Sequence, residues 1–192
     1  MIFSGIVIGM IARSLDYLPY NEIINIQSIN SLYGFWAFMI SIIILYSKSN
    51  IKASINVFLF LTSMSISYYS LKYIVNIFQN TINEGYLNLL IDFFYITIFC
   101  TFLVYLFCII KENVKYKEYI YAMPIGFIAS EIISIISYMQ RKIGYVFQFF
   151  INTLAIIILY ILIKKRVNKY KLILIACVYS VLIYYMYYIR VL

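Results

Sequence analysis

Seven long apolar runs, separated by short polar connections, follow one another through the chain. A helix needs about 20 mostly apolar residues to cross the hydrocarbon layer of a bilayer. The runs are of this size, and they leave no stretch long enough for a separate soluble domain. The pattern therefore predicts an all-α fold, a polytopic transmembrane helical bundle that forms a single integral membrane domain over residues 1–192.

Composition leads to the same class of protein. Hydrophobic residues make up 65% of the 192 residues and charged residues only 11%, which is too little polar surface for a soluble globule. The predicted helices cover Ile2–Leu18, Asn30–Tyr46, Ala53–Val75, Leu87–Ile110, Tyr119–Tyr138, Gly144–Ile163 and Lys171–Ile189. Only eleven apolar or small residues precede Arg13 in the first run. The alternative is therefore six full spans and one partial span.

Basic residues collect at the ends of apolar runs, and this distribution predicts the orientation. The net charge is +8, but the charges are not interleaved along a solvent face, so we expect no nucleic acid partner. Two thirds of the Lys and Arg lie on one side of the predicted spans, which should be the cytoplasmic side. We expect a multi-pass protein of a bacterial cell membrane with its N-terminus inside and its C-terminus outside. The richer side holds Lys48, Lys52, Lys111, Lys115, Lys117, Lys164, Lys165, Arg166, Lys169 and Lys171; the other holds Arg13, Lys72, Arg141, Lys142 and Arg190.

Glu131 is the clearest candidate for a functional residue. It lies well inside the predicted fifth helix, and ionisable side chains are costly in hydrocarbon unless they are paired, protonated or next to water. No basic residue lies within two turns, so Glu131 must find a partner on another helix or keep its proton. The alternative is a purely structural hydrogen bond between helices. Pro124 and Gly126 precede it and favour a kink in the same helix.

Further polar residues mark the outward halves of three other predicted helices. Asn88, Asp92 and Tyr95 share one face of the fourth helix, and Lys72 of the third helix could pair with Asp92. The alternative is that Lys72 reaches the headgroups while Asp92 is interfacial. Together these residues predict a pocket for a small polar ligand, open to the outside. Its expected lining is Tyr68, Lys72, Asp92, Glu131, Gln148 and Asn152.

The first helix carries a surface of small residues, Gly5 and Gly9, across which another helix can approach closely. We predict that this surface contacts a transmembrane partner protein; the alternative is packing against a helix of the same chain. On the third helix, the serines Ser63, Ser67 and Ser70 are typical of a close helix contact. Arg13 and Asp16, three residues apart, should form a local ion pair.

Several residue types that enzymes and metal sites require are missing or scattered. The chain has no His, and its three Cys are Cys100, Cys108 and Cys177, which neither form a CxxC motif nor lie close enough to pair. We interpret these cysteines as apolar filling. No activated nucleophile and no carboxylate cluster is recognisable. We therefore expect a protein that is not an enzyme and that needs neither a cofactor nor a metal.

Scattered residues resemble a family of small bacterial multi-span membrane proteins of unknown function. The resemblance runs over most of the chain and implies no activity. It rests on Gly5, Gly9, Leu18, Pro19, Trp36, Tyr68, Tyr69, Gly126 and Glu131.

In size, span number and outward polar half, the chain also looks like the S components of energy-coupling-factor transporters. That likeness implies binding of a vitamin or metal ion near the outer surface and docking on a shared membrane partner. The chain departs from it by one extra span and by Gly5 and Gly9 in place of an Ala-rich motif.

Two hypotheses about function follow. In the first, the protein binds or helps to transport a small polar ligand from the outer side, with Glu131 and Asp92 as polar anchors. In the second, it is a non-catalytic accessory or immunity protein that acts through a membrane partner or a peptide. The basic run Lys164–Lys171 suits both, as a contact for anionic lipid or a cytoplasmic partner.

Overall fold

The computed structural model describes residues 1–18, 25–26, 33–78, 86–112, 116–139 and 145–188. Within these ranges the chain is all-α, with seven α-helices and no strand, which confirms the predicted fold class. The last helix continues into one π-helical segment, Tyr184–Tyr188. The helices are α1 Ile2–Asp16, α2 Gly34–Tyr46, α3 Asn50–Phe78, α4 Tyr86–Glu112, α5 Lys117–Met139, α6 Val146–Ile163 and α7 Lys169–Ile183.

Five of these helices, α3 to α7, are long and apolar enough to cross a membrane. The other two are shorter. α1 has 15 residues and α2 has 13, so at 1.5 Å per residue they measure only about 22 Å and about 20 Å, against about 30 Å of hydrocarbon. The short α1 agrees with the alternative of a partial first span. The second predicted helix, Asn30–Tyr46, is present as α2 from Gly34 onward; Tyr33 is not helical, and residues 30–32 lie outside the described part of the chain.

The chain divides into two compact units, which are described separately. The first unit comprises residues 1–18 and 46–108, and the second comprises residues 19–45 and 109–192. The first unit therefore holds α1, α3 and most of α4. The second holds nearly all of α2 together with α5, α6 and α7.

In the first unit, α1 packs directly on α3 through its glycines. Gly5 and Gly9 are buried, and a Cβ added to Gly5 would overlap the Ser63 hydroxyl and stand 2.5 Å from the Phe60 carbonyl oxygen. A Cβ on Gly9 would overlap Ser67 and the Met64 carbonyl in the same way. The prediction that this surface contacts a partner protein is therefore wrong. It is occupied by α3, because two glycines one turn apart allow the backbones to touch.

In the second unit, α5 and α7 run in the same direction, and α2 and α6 run opposite to them. Lys171 lies 3.9 Å from Glu118 at the start of α5 and α7, and the hydroxyls of Ser137 and Tyr184 are 3.1 Å apart near their ends. Arg166, after the end of α6, donates to the Leu45 carbonyl of α2 at 3.5 Å. One end of this unit thus gathers the basic α6–α7 connection. The opposite end gathers the starts of α2 and α6.

The core of the second unit is apolar and closely packed. Ala122, Ile128, Leu159 and Leu172 are completely buried and belong to one cluster. Gly126 lies where α5 crosses α7, because a Cβ there would stand 2.5 Å from Tyr179 Cβ and 2.9 Å from the Ala176 carbonyl oxygen. This core holds α5, α6 and α7 in fixed register, and it thereby fixes the polar residues that they carry.

Candidate functional site

The Glu131 carboxylate caps the N-terminus of α2. Its Oε1 accepts hydrogen bonds from the backbone N–H of Tyr33 at 2.8 Å and of Gly34 at 3.1 Å, and its Oε2 accepts from the Gly34 N–H at 3.0 Å. The first N–H groups of a helix have no partner within the helix, and the helix dipole places partial positive charge there. A carboxylate from α5 therefore satisfies donors that hydrocarbon would leave unpaired.

Two amides of α6 continue this network. Asn152 Nδ2 donates to Glu131 Oε2 at 2.7 Å, and Gln148 Nε2 donates to Asn152 Oδ1 at 3.0 Å. All three side chains are 0% exposed. The four-residue spacing of Gln148 and Asn152 puts both on the face of α6 that meets α5. We call Glu131, Asn152, Gln148 and the first N–H groups of α2 the buried polar relay.

No cation contacts Glu131 within the described part of the chain. The ion pairs found there are Arg13–Asp16 and Glu118–Lys171, neither of which involves the relay. Neighbouring serines do not serve Glu131 either, since Ser130 and Ser137 donate to carbonyls of their own helix. The carboxylate is thus held by N–H donors and the α2 dipole alone.

The relay ends in an amide oxygen that has no partner in the described part of the chain. Because the Glu131 oxygens accept from the N–H groups around them, Asn152 presents its NH₂ to Glu131 and its oxygen to Gln148, which in turn fixes the Gln148 amide. Gln148 Oε1 is left buried, with no hydrogen-bond partner among the described residues. Leaving such an acceptor unsatisfied costs about 1–3 kcal/mol. The site therefore presents one aligned acceptor to a donor group.

Gly34 is the residue of this site that the sequence reasoning missed. A side chain there would occupy the place of the Glu131 carboxylate, since an added Cβ would overlap Glu131 Oε2 and stand 2.8 Å from Asn152 Oδ1. A glycine immediately before a strongly apolar run was the available signal. Its role could not be read from that signal, because the carboxylate it admits lies 97 residues later.

The other sequence-predicted residues lie in the first unit. Tyr68 donates from its hydroxyl to Asp16 Oδ2 at 2.5 Å, and Arg13 Nη1 donates to the same oxygen at 2.9 Å. The predicted ion pair of Arg13 and Asp16 is confirmed. The contact with Tyr68 had no local signal, because 52 residues separate the two partners. These three residues join the end of α1 to α3.

Lys72 and Asp92 do not form the ion pair that the sequence allowed. Both residues are described, and the Lys72 nitrogen lies more than 4.0 Å from the Asp92 carboxylate oxygens. Asp92 is exposed, as are Asn88 and Tyr95 on the same face of α4. The exposure of Asp92 agrees with the alternative in which this residue is interfacial. Of the six predicted lining residues, the structure thus brings together Glu131, Gln148 and Asn152. A common pocket for all six stays a prediction.

Groups for covalent or metal chemistry do not accompany the relay. Cys100, Cys108 and Cys177 are free, and among the described residues no three His, Cys, Asp or Glu side chains come together as a metal site would require. What the relay offers is a buried carboxyl group that accepts from N–H donors and an amide oxygen with no partner among the described residues.

Comparison with known proteins adds no relative to this geometry: no family model, no curated protein and no solved structure matches the chain. The two resemblances drawn from scattered residues and from architecture therefore stay predictions. What the structure does show is an all-α protein with five helices suited to a bilayer and one buried polar relay.

Proposed function

We propose that the protein binds, or helps to transport, a small polar molecule that carries an N–H donor, preferably a cationic amine, beside Gln148. The observation that carries this proposal is the buried Gln148 Oε1, which has no hydrogen-bond partner among the described residues. A ligand N–H supplies the donor it lacks. A positive charge on the ligand complements Glu131, which acts through Asn152 and has no cation in contact within the described chain.

The short α2 supports the same proposal. Helices that begin inside the membrane, with their N-terminal N–H groups turned toward a polar centre, are typical of binding sites in transporters. Here the N-terminus of α2 is neutralised by Glu131, so the centre as a whole selects donors and cations over anions. Glu131 and Asn152 are then positioning residues, and Gln148 is the residue that contacts the ligand.

We also propose that the relay lies toward the outer side of a bacterial cell membrane. The starts of α2 and α6 are at one end of the second unit and the basic α6–α7 connection is at the other. Since basic connections face the cytoplasm, the relay end faces outward. The predicted orientation, with the N-terminus inside and the C-terminus outside, is part of this proposal.

The ligand proposal is tested by thermal shift of the purified protein in detergent with a panel of primary and quaternary ammonium compounds. At least one amine should raise the midpoint of the wild type by several degrees and leave Gln148→Leu unchanged, because leucine keeps the volume of the site but offers no acceptor. Thr153→Val is the matched control on α6, since the Thr153 hydroxyl donates to the Phe149 carbonyl of its own helix. Equal shifts in all three proteins, or none, overturn the proposal.

The alternative is an accessory or immunity protein that acts through a membrane partner. For this alternative and for transport alike, the small-residue surface of α1 is not open to a partner. Gly5 and Gly9 face α3 rather than a free surface. A partner would have to contact another part of the chain.

A further inference from the structure

An apolar groove runs along the lipid-compatible surface of the second unit, between α5, α6 and α7. It has a volume of about 320 Å³ and is partly open along one side. None of the relay residues lines it, so it is separate from the proposed ligand site. Its lining is Ile125, Ala129, Ile156, Tyr160, Leu172, Ile173, Ala176, Cys177 and Ser180.

The groove offers no free hydrogen-bonding group along α7. The Ser180 hydroxyl donates to the Cys177 carbonyl of its own helix at 2.8 Å. Ala176, which also lines the groove, has only a methyl side chain and therefore fills little of its volume. From Leu172 to Ser180 the groove follows α7 for about 12 Å. An α-helix with its side chains is about 10 Å wide, so a groove of this volume fits a single hydrocarbon chain better than a partner helix.

Exposed cations follow Tyr160 and precede Leu172 in the sequence, and these two residues line the same groove. Lys171 directly precedes Leu172, and Lys164 Nζ lies 6.0 Å from the centre of the Tyr160 ring. Lys164, Lys165 and Lys169 are all exposed. Glu118, 3.9 Å from Lys171, is the carboxylate that offsets this charge among the described residues here. The mouth of the groove therefore has a clear excess of positive charge.

From this juxtaposition we infer a binding site for one anionic phospholipid, with its phosphate at Lys164, Lys165 and Lys169 and one acyl chain in the groove. The cations alone would attract any anionic surface, and the groove alone would accept any apolar chain. A phospholipid with a net negative headgroup presents both features in one molecule. Each lysine near an anionic membrane surface contributes about 1 kcal/mol, or about fivefold in affinity.

The charge half of the site is tested by native mass spectrometry of the whole protein, titrated with phosphatidylglycerol or with phosphatidylcholine of the same chain length. Phosphatidylglycerol should bind at least tenfold more tightly. Lys164→Gln/Lys165→Gln/Lys169→Gln should weaken its binding about a hundredfold, whereas Lys48→Gln/Lys52→Gln, which removes charge just before and within the first turn of α3, should not. Equal binding of the two lipids, or equal loss in the two sets of variants, overturns the inference.

The groove half is tested with Ile173→Trp, which narrows the groove at a position that is 48% exposed, so that the core is not disturbed. Leu174→Trp is the control, since Leu174 is 66% exposed and does not line the groove. Ile173→Trp should reduce retained phosphatidylglycerol several-fold and Leu174→Trp should not. If glycerol phosphate without acyl chains displaces the lipid, or if the two variants behave alike, the groove holds no acyl chain and the inference fails.

Discussion

Asn152 on α6 donates a 2.7 Å hydrogen bond to Glu131 on α5, at a point where both side chains are 0% exposed. This bond ties two helices together and also fixes the direction of the Asn152 amide. The Asn152 amide oxygen then faces Gln148 and accepts from its NH₂ group. The Glu131 carboxylate therefore fixes the orientation of both amides, that of Asn152 directly and that of Gln148 through Asn152. The predictions below separate the structural contribution of this relay from its proposed binding role.

Replacing Glu131 should destabilise the fold more than any other single carboxylate substitution on α5. In Glu131→Ala, the N–H groups of Tyr33 and Gly34 and the Asn152 amide lose their acceptor, and each buried unpaired donor costs about 1–3 kcal/mol. We expect the free energy of unfolding to fall by about 3 kcal/mol or more, measured by chemical denaturation in detergent micelles.

Glu118 provides the matched control for this substitution at the other end of the same helix. Its pair with Lys171 is 3.9 Å long, and we expect Glu118→Ala to cost less than about 1 kcal/mol. Similar losses for the two variants would show that Glu131 contributes no more than an ordinary interfacial carboxylate.

Gly34→Ala should displace the Glu131 carboxylate from the start of α2. The added methyl would overlap Oε2, and an overpacked buried site costs about 1–3 kcal/mol. Because the clash is with Glu131, the cost should shrink when Glu131 is already alanine. A double-mutant cycle of unfolding free energies measures this coupling. Strict additivity would mean that Gly34→Ala acts through some other contact.

Gly5→Ala should weaken the packing of α1 on α3 by about 1–3 kcal/mol. The added methyl would meet the Phe60 carbonyl oxygen at 2.5 Å, and a backbone atom cannot move aside as a side chain can. Adding Ser63→Gly should therefore restore only part of the loss. Val7→Ala, at a position that is 37% exposed on α1, is the control, and thermal unfolding is the measurement. Full restoration by Ser63→Gly would place the clash in the side chain alone.

Tyr68→Phe should cost about 1–3 kcal/mol, because the Tyr68 hydroxyl donates to the charged Asp16 carboxylate. The next residue, Tyr69, has the same side chain and is 7% exposed. The Tyr69 hydroxyl has no hydrogen-bond partner among the described residues. Tyr69→Phe should thus be nearly neutral in the same unfolding assay. A larger loss at Tyr69 than at Tyr68 would refute the importance of the Asp16 contact.

The proposed orientation predicts opposite signals from reporters fused at different points. A phosphatase that is active only outside the membrane should be active when fused after residue 192 and inactive when inserted after Lys165. A fluorescent protein that matures only in the cytoplasm should give the reverse pattern. Phosphatase activity at Lys165 would invert the topology and place the relay on the cytoplasmic side.

Periodicity and hydropathy were enough to predict the number and approximate bounds of the helices, because each run must satisfy its own backbone hydrogen bonds in hydrocarbon. They also placed Gln148 and Asn152 on one face and marked Glu131 as a buried acid in need of a partner. The partner itself could not be predicted. It is the backbone of Tyr33 and Gly34, which no side-chain pattern records, and it belongs to a helix far away in the chain. The same holds for Tyr68 and Asp16, whose contact depends on how α1 packs on α3.

During protein synthesis, α2 is made before the Glu131 carboxylate that caps its N-terminus. The acid follows Gly34 by 97 residues, so a ribosome adding about 5–20 residues per second makes it roughly 5–20 s after the glycine. During that interval the first N–H groups of α2 lack this acceptor. The nascent chain therefore reaches its final arrangement only after the fifth helix has been released, and a chain truncated before residue 131 should be recognised as incomplete by membrane proteases.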